Sequence, residues 1–113
     1  MPAGKYDLDI EQGATFLRIL TISENSVLKD LTGYVARAQI RRTVKSSTIT
    51  ATITATITDP ANGEITLKLT AEETTALVSE RSVWDLEIDD QAGVPVVTRL
   101  LAGNVTIDPN VTR

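Results

Sequence analysis

The sequence of 113 residues contains no cysteine and no histidine. A chain without cysteine forms no disulfide and offers no thiolate nucleophile. A chain without histidine has no imidazole for a catalytic triad or a metal site. Aromatic residues are also scarce, at 4% of the chain. These absences exclude most of the familiar catalytic and metal centres, and we expect no catalytic residue, no bound metal and no cofactor.

Long apolar runs and an excess of positive charge are missing as well. The apolar runs are far shorter than the ~20 residues that cross a bilayer, and the N-terminus lacks the apolar core of a signal peptide. Eleven Lys and Arg residues against fifteen Asp and Glu residues give a net charge of −4. Binding to nucleic acid or to an anionic membrane surface needs a basic footprint. We therefore expect no binding to nucleic acid or to a membrane. The chain length predicts a single domain over residues 1–113.

The residues that are abundant favour strands. Threonine is common, and β-branched side chains pack well on a pleated sheet. Residues 48–58 read TITATITATIT, which places threonine on one face of a strand and isoleucine or alanine on the other. Residues 59–63, DPANG, carry turn chemistry, and the alternation then resumes. This pattern predicts a β-hairpin over residues 48–69.

Further strands and one helix follow from the same patterns. We predict strands at 6–10, 15–23, 34–44, 82–88, 96–101 and 105–107. Strand 15–23 is apolar on both alternating faces, which indicates a strand that is covered on both sides or lies at an interface. Thr70 and Glu73 have capping-box spacing, which predicts a short helical turn near 71–77. Gly103 lies within a strand pattern and predicts a bulge or bend. The chain is predicted to be all-β, an antiparallel β-sandwich (Ig-like or jelly-roll-like) of about seven or eight strands.

Carboxylates are the only conventional catalytic groups present in quantity. Asp7 with Asp9, and Asp85 with Glu87, each share one face of a predicted strand, but alternation alone accounts for both as solvated faces. The turns that contain Asp59, Asn62 and Glu64, or Asp89 and Asp90, lack the ligand spacing of a calcium loop, so turn formation explains them better. Trp84 falls on a buried face and is predicted to anchor the core.

Two surfaces are candidates for contact with other proteins. Arg37, Arg41, Arg42 and Lys45 form a basic cluster without neighbouring aromatics, which favours pairing with acidic side chains such as Asp85 and Glu87, or a charged protein contact, over nucleic acid. The threonine face is either a solvated surface or a place where another subunit docks. The predicted contact residues are Arg37, Gln39, Arg41, Arg42, Thr50, Thr52 and Thr54.

Several segments resemble virion proteins of tailed bacteriophages. The segments are EQGATF at 11–16, DLTGY at 30–34, ARAQIR at 36–41, DPANGEITL at 59–67, TAEET at 70–74, WDLEI at 84–88, VTRLL at 97–101 and VTIDP at 105–109. Together they are similar to the N-terminal domain of the phage upper-baseplate protein family. That family implies a β-sandwich that attaches receptor-binding or fibre modules to the tail, and it supplies no catalytic residues.

The resemblance implies a structural protein of the virion that is assembled in the bacterial cytoplasm. The absence of cysteine is compatible with that reducing compartment, where disulfides are rare. Because the sequence ends just after its last predicted strand, we expect an adaptor or accessory subunit that binds other virion proteins, as a homo-oligomer or in several copies on a symmetric assembly. Two alternatives stay open. One is a decoration or cement protein of the head, and the other is a carbohydrate-binding sandwich, which usually needs exposed aromatics.

Overall fold

A computed structural model describes residues 4–24, 26–77 and 81–109 of the chain. These residues form ten strands, one α-helix and one 3-10 turn. The strands are β1 (Gly4–Lys5), β2 (Leu8–Glu11), β3 (Phe16–Thr21), β4 (Ser23–Glu24), β5 (Val27–Leu28), β6 (Val35–Arg41), β7 (Ala51–Asp59), β8 (Glu64–Leu69), β9 (Ser82–Asp89) and β10 (Val97–Asp108). The helix α1 is Ala71–Thr75 and the 3-10 turn is Pro60–Asn62. The predicted all-β class with a short helix is confirmed.

Eight strands form one curled sheet, and β4 and β5 form a separate small hairpin. The strand order is β1–β10–β9–β6–β7–β8–β3. Strand β2 pairs with the later residues of β10, 105–108, and β1 pairs with residues 101–102 of the same strand. Strand β7 is the turning point, because residues 51–53 pair with β6 whereas residues 54–59 pair with β8. We call β1, β2, β10, β9 and β6 the front layer and β7, β8 and β3 the back layer. The curled sheet is therefore sandwich-like.

The two layers enclose a single apolar core. Alternate residues of each strand point inward, as period-two patterning requires. Buried residues of the front layer include Leu8, Ile40, Trp84, Leu86 and Val105. Those of the back layer include Phe16, Leu20, Ile53, Ile65 and Leu67. All of these side chains belong to one cluster, so the core fixes how the layers sit and which residues point outward.

The predicted hairpin is confirmed, although its first strand starts at Ala51 and not at Thr48. Pairing of β6 with β7 begins at Ile40 opposite Ala51, so the residues before Ala51 are used in the nine-residue connection. Gly63 closes the turn with φ 68°. A Cβ at Gly63 would lie 2.6 Å from the carbonyl oxygen of Ile22. Glycine is therefore needed at this position both for its backbone angle and for space.

The N-terminal strands differ from the prediction in two respects. The expected strand 6–10 begins only at Leu8, as β2, and a further strand β1 precedes it; both pair parallel with β10, so the sheet is mixed and not wholly antiparallel. The break lies at Tyr6, whose backbone crosses close to Gly103, where a Cβ would collide with the Tyr6 carbonyl oxygen. Gly103 thus permits a close backbone approach. The predicted bulge or bend at Gly103 is wrong, because β10 is continuous and its register shift lies between Arg99 and Leu101.

Helix α1 closes one end of the sandwich between β8 and β9. Its capping box is formed, since Thr70 Oγ1 accepts a hydrogen bond from the Glu73 N–H and the Glu73 carboxylate accepts one from the Thr70 N–H. Thr74 is buried, and its hydroxyl donates to the Ala14 carbonyl at 2.8 Å. The helix therefore fastens the β2–β3 connection to the end of the back layer. No helix in the described ranges is long and apolar enough to span a membrane.

Candidate protein interaction surfaces

The outer face of β6, β9 and β10, which we call the front face, carries most of the charged side chains predicted to contact partners. Register places Arg37 opposite Glu87 and Glu87 opposite Arg99, in one row across the three strands. The next row contains Gln39, Asp85 and Ala102. Directly opposed side chains share a face and interact. Glu87 of the central strand is therefore flanked by an arginine on each side.

Ion pairs order this face. Arg37 lies 3.7 Å from the Glu87 carboxylate and 3.3 Å from that of Asp89. Arg99 lies 3.4 Å from Asp85. The predicted pairing of the arginine-rich strand with Glu87 is thus confirmed, whereas Asp85 is held by Arg99 of β10. All of these pairs are partly solvent-exposed, so they add little stability and leave a patterned charged surface available for contact.

A groove of about 630 Å³ runs over the front face. It is lined by Lys5, Arg37, Gln39, Asp85, Glu87 and Arg99, among others. Its floor is the sheet itself, with Trp84 and Gly103 beneath. The groove is therefore an open surface of mixed polar and apolar character and not an enclosed cavity in the core.

The remaining predicted contact residues of the basic cluster have different surroundings. Arg41 Nη1 donates to the Ser46 carbonyl at 2.9 Å and Nη2 donates to Gln39 Oε1 at 3.1 Å. Arg41 thereby braces the β6–β7 connection. Arg42 is exposed just after β6. Of the two, Arg42 is the more exposed.

The threonine face joins the front face around the corner made by β7. Thr52 lies opposite Gln39 of the front layer, and Thr54 lies opposite Lys68 of the back layer. Thr50 precedes the strand, and its N–H donates to the Ile40 carbonyl at 2.8 Å. Thr52, Thr54, Thr56 and Thr58 are all exposed. The structure thus brings Arg37, Gln39, Thr52 and Thr54 onto one continuous outer strip, which the sequence did not indicate.

The outer face of β7, β8 and β3, which we call the back face, ends in an apolar edge. Strand β3 forms that edge, and its Leu17 and Ile19 are 57% and 58% exposed. Strand 15–23 was predicted to be covered on both sides or to lie at an interface, and in the isolated chain its outer face is open. Sequence alone did not show that β3 is an edge strand.

Other exposed apolar side chains lie at the ends of the body. Val27 and Leu28 stand on the β4–β5 hairpin, which Lys29 steadies through an ion pair with Glu24 at 2.9 Å. That contact raises the pKa of Lys29. Val94 and Val96 lie on the connection into β10, and Val97 begins that strand. The Asp90 carboxylate organises this connection by accepting hydrogen bonds from the Val96 and Ala92 N–H groups, which lower its pKa.

The carboxylates that were weighed as catalytic or calcium-binding groups have structural partners. Asp7 accepts a hydrogen bond from the Asn104 N–H at 2.9 Å. Asp59 accepts one from Asn62, and Glu64 accepts one from Thr58. Asp89 accepts one from the Gln91 N–H at 2.7 Å. Within residues 4–24, 26–77 and 81–109, no three acidic side chains converge in a way that could hold a metal ion.

Comparisons with known proteins support the fold. No family model matches the sequence, and no curated protein is a detectable relative. Among solved structures, the fold is similar to the N-terminal domain of phage TP901-1 ORF48, with a TM-score of 0.59 and 11% identity, covering 96% of this chain and 90% of that one. The extracellular domain of the voltage-gated sodium channel beta4 subunit, seen as a parallel homodimer, aligns over 98% of this chain and 97% of that one, with 8% identity. Its TM-score of 0.45 is too low to establish a shared fold. The chain therefore shares its fold with a phage protein domain.

Proposed function

We propose that the protein is a structural component of a bacteriophage virion, in the tail or baseplate region. There it acts as an adaptor or accessory subunit that binds neighbouring virion proteins, without catalysis. The observation that carries the proposal is the similarity to the phage TP901-1 ORF48 domain over nearly the full length of both chains. A match of that extent involves the whole fold and not a shared hairpin.

The front face supports a role in binding. Arginine is enriched at protein interfaces because its planar fork makes several directed hydrogen bonds. On this face Arg37 and Arg99 flank Glu87 in one row, and Arg99 also forms an ion pair with Asp85 of the next row. A surface with alternating charge sets the register and orientation of a partner more than it raises affinity. Such a surface suits a subunit that must sit in one orientation on a larger assembly.

The structure gives less support to carbohydrate binding than to a role in assembly. Carbohydrate-binding sandwiches present exposed aromatic platforms, and the four aromatic residues of this chain are Tyr6, Phe16, Tyr34 and Trp84. Phe16 and Trp84 are buried, and Tyr6 and Tyr34 are partly buried. The surface instead offers charge rows and flat strands. We therefore place the protein among assembly subunits.

The test uses particles made from the genome that encodes this chain. Heads and tails are separated, and the chain is quantified by mass spectrometry in each fraction. We expect it in the tail fraction, in several copies per particle. Its absence from purified particles would refute the proposal, and its presence in heads alone would replace the tail location with a head decoration role.

A variant experiment then examines the front face. A phage that lacks the gene is complemented with the chain carrying Arg37→Glu and Arg99→Glu together. We expect about tenfold less incorporation, because truncation or reversal of central interface charges is costly. Glu72→Lys, at an exposed position of α1 away from the front face, is the charge-reversal control. Equal incorporation of both variants would argue against the front face as the docking surface.

A further inference from the structure

The edge strand β3 lacks most of the features that normally protect a sheet edge. Edge strands are usually kept from pairing by short length, proline, lysine, inward-pointing charges or a bulge. Strand β3, FLRILT, has no proline and no lysine, and its pairing with β8 is regular over all six residues. Its single charge, Arg18, points inward, where Nη1 donates to the Tyr6 hydroxyl at 3.0 Å. Among the described residues, no strand pairs with the other side of β3.

The apolar residues of the back face are confined to this edge. Leu17 lies opposite Lys68, and Ile19 lies opposite Thr66. The outward residues of β8 and β7 are polar, namely Glu64, Thr66, Lys68, Thr52, Thr54, Thr56 and Thr58. A face that only meets water has no reason to be polar on two strands and apolar on the third. The pattern indicates that a partner pairs along the β3 edge and places its own side chains beside Leu17 and Ile19.

From this arrangement we infer that β3 pairs antiparallel with β3 of a second copy, about a two-fold axis at Ile19. The two back layers then become one continuous sheet across the dimer. A two-fold interface uses the same patch on both subunits, so the patch must be complementary to itself. The inference concerns self-association and goes beyond the proposed function, since it holds whether or not the chain is part of a virion.

Face matching restricts the register. Directly opposed residues in an antiparallel pair share a face, so outward residues must meet outward residues. An axis at Ile19 pairs Ile19 with its own symmetry mate and Leu17 with Thr21, and it uses the whole segment 16–22. An axis at Arg18 would oppose two guanidinium groups. An axis at Leu17 would leave the end of β3 unpaired, so the axis at Ile19 is favoured.

Charge also agrees with a second copy in this register. The central row of the dimer contains Thr56, Thr66 and Ile19 from each subunit and carries no charge. In the rows on either side, Lys68 of one copy lies on the same row as Glu64 of the other, because Lys68 pairs with Leu17 and Glu64 pairs with Thr21. No row therefore opposes like charges. One strand pair buries less than the ~1,200 Å² typical of stable complexes, so the dimer is weak in dilute solution and forms where copies are concentrated.

The absence of cysteine makes the register directly testable. In an antiparallel pair, opposed Cα atoms are about 4.5 to 5.5 Å apart, which is within disulfide range. Single variants Ile19→Cys, Leu17→Cys, Thr21→Cys and Val44→Cys are purified and oxidised at equal concentration. Val44, on the β6–β7 connection, is 82% exposed and is the control for random encounter. Circular dichroism and thermal melting confirm that each variant is folded.

The expected result is that Ile19→Cys forms covalent dimers about tenfold faster than Val44→Cys, since the thiols are held in bonding geometry. Leu17→Cys alone is expected to cross-link slowly, whereas a mixture of Leu17→Cys with Thr21→Cys cross-links as readily as Ile19→Cys. The inference is overturned if Ile19→Cys is no faster than Val44→Cys. It is also overturned if Leu17→Cys forms homodimers as fast as Ile19→Cys, because that result places the axis elsewhere.

Discussion

Trp84 Nε1 donates a hydrogen bond to the main-chain carbonyl of Tyr6 at 2.7 Å, and the two rings meet edge-on with centroids 6.4 Å apart. This contact joins the centre of the front layer to the point where the chain passes from β1 to β2. Trp84 is only 3% exposed. The same carbonyl lies over Gly103. Beneath the front face, the backbone at Tyr6 is therefore held in place against Trp84 of β9 and Gly103 of β10.

Replacement of the indole tests that crossing. Trp84→Phe keeps an aromatic ring but removes the N–H donor, which leaves the Tyr6 carbonyl without this partner. We expect a loss of about 1–3 kcal/mol in the free energy of unfolding. Denaturant titration measures it, with Val44→Ala as an exposed control that leaves stability unchanged. A loss for Trp84→Phe no larger than that for Val44→Ala would show that the hydrogen bond contributes nothing.

Gly103 provides a second test of the same region. A methyl group at Gly103 meets the Tyr6 backbone, which is not free to move because its N–H donates to Ala102 and its carbonyl accepts from Trp84. We expect Gly103→Ala to cost at least about 1–3 kcal/mol through overpacking. Gly93→Ala is the matched control, since a Cβ there meets nothing within 4 Å. Similar melting temperatures for the two variants would contradict the close approach.

The connection from β9 to β10 is expected to depend on pH through Asp90. Hydrogen bonds from the Val96 and Ala92 N–H groups hold the pKa of the Asp90 carboxyl below its usual value. A lowered pKa in the folded state means that the stabilisation is full above the unfolded pKa and is lost as the pH falls through the folded pKa. Amide exchange at Val96, compared with Asp90→Asn, reports this loosening below about pH 4. The same exchange rate in the variant and the parent above pH 5 would count against the role of the carboxylate.

The ion pairs of the front face are expected to matter for binding and not for stability. Arg37 is half exposed, and its contacts with Glu87 and Asp89 are 3.7 and 3.3 Å long. Arg37→Ala should therefore change the free energy of unfolding by less than about 1 kcal/mol. Incorporation into particles should nevertheless fall. A large loss of stability would mean that Arg37 is a structural residue, and its effect on assembly would then be indirect.

The period-two patterns predicted most of the fold correctly. The alternation in 34–44 and 82–88 placed Ala38, Ile40, Trp84 and Leu86 in the core, where they are found. The boundary at Ala51 was missed because threonine and isoleucine continue the same alternation at 48–50. Those residues leave the ladder only because the connection from β6 needs them. Alternation reports which face is buried, but it does not report where pairing starts.

Pairing direction and edges depend on contacts between distant segments. The parallel pairing of β2 with β10 joins residues 8–11 to 105–108, and no local pattern specifies it. For the same reason, the sequence did not show that β3 is an edge or that β7 turns the corner between layers. The candidate surfaces were consequently predicted as separate strands. Only the fold shows that Gln39 and Thr52 are neighbours on one strip.

A cryo-EM reconstruction of tails from purified particles tests the central claim most directly. We expect density for the sandwich-like domain at the tail or baseplate, with Arg37 and Arg99 of the front face against a neighbouring protein. Tails that are complete and infectious without this chain, or a domain whose front face is open to solvent in the assembled particle, would contradict it.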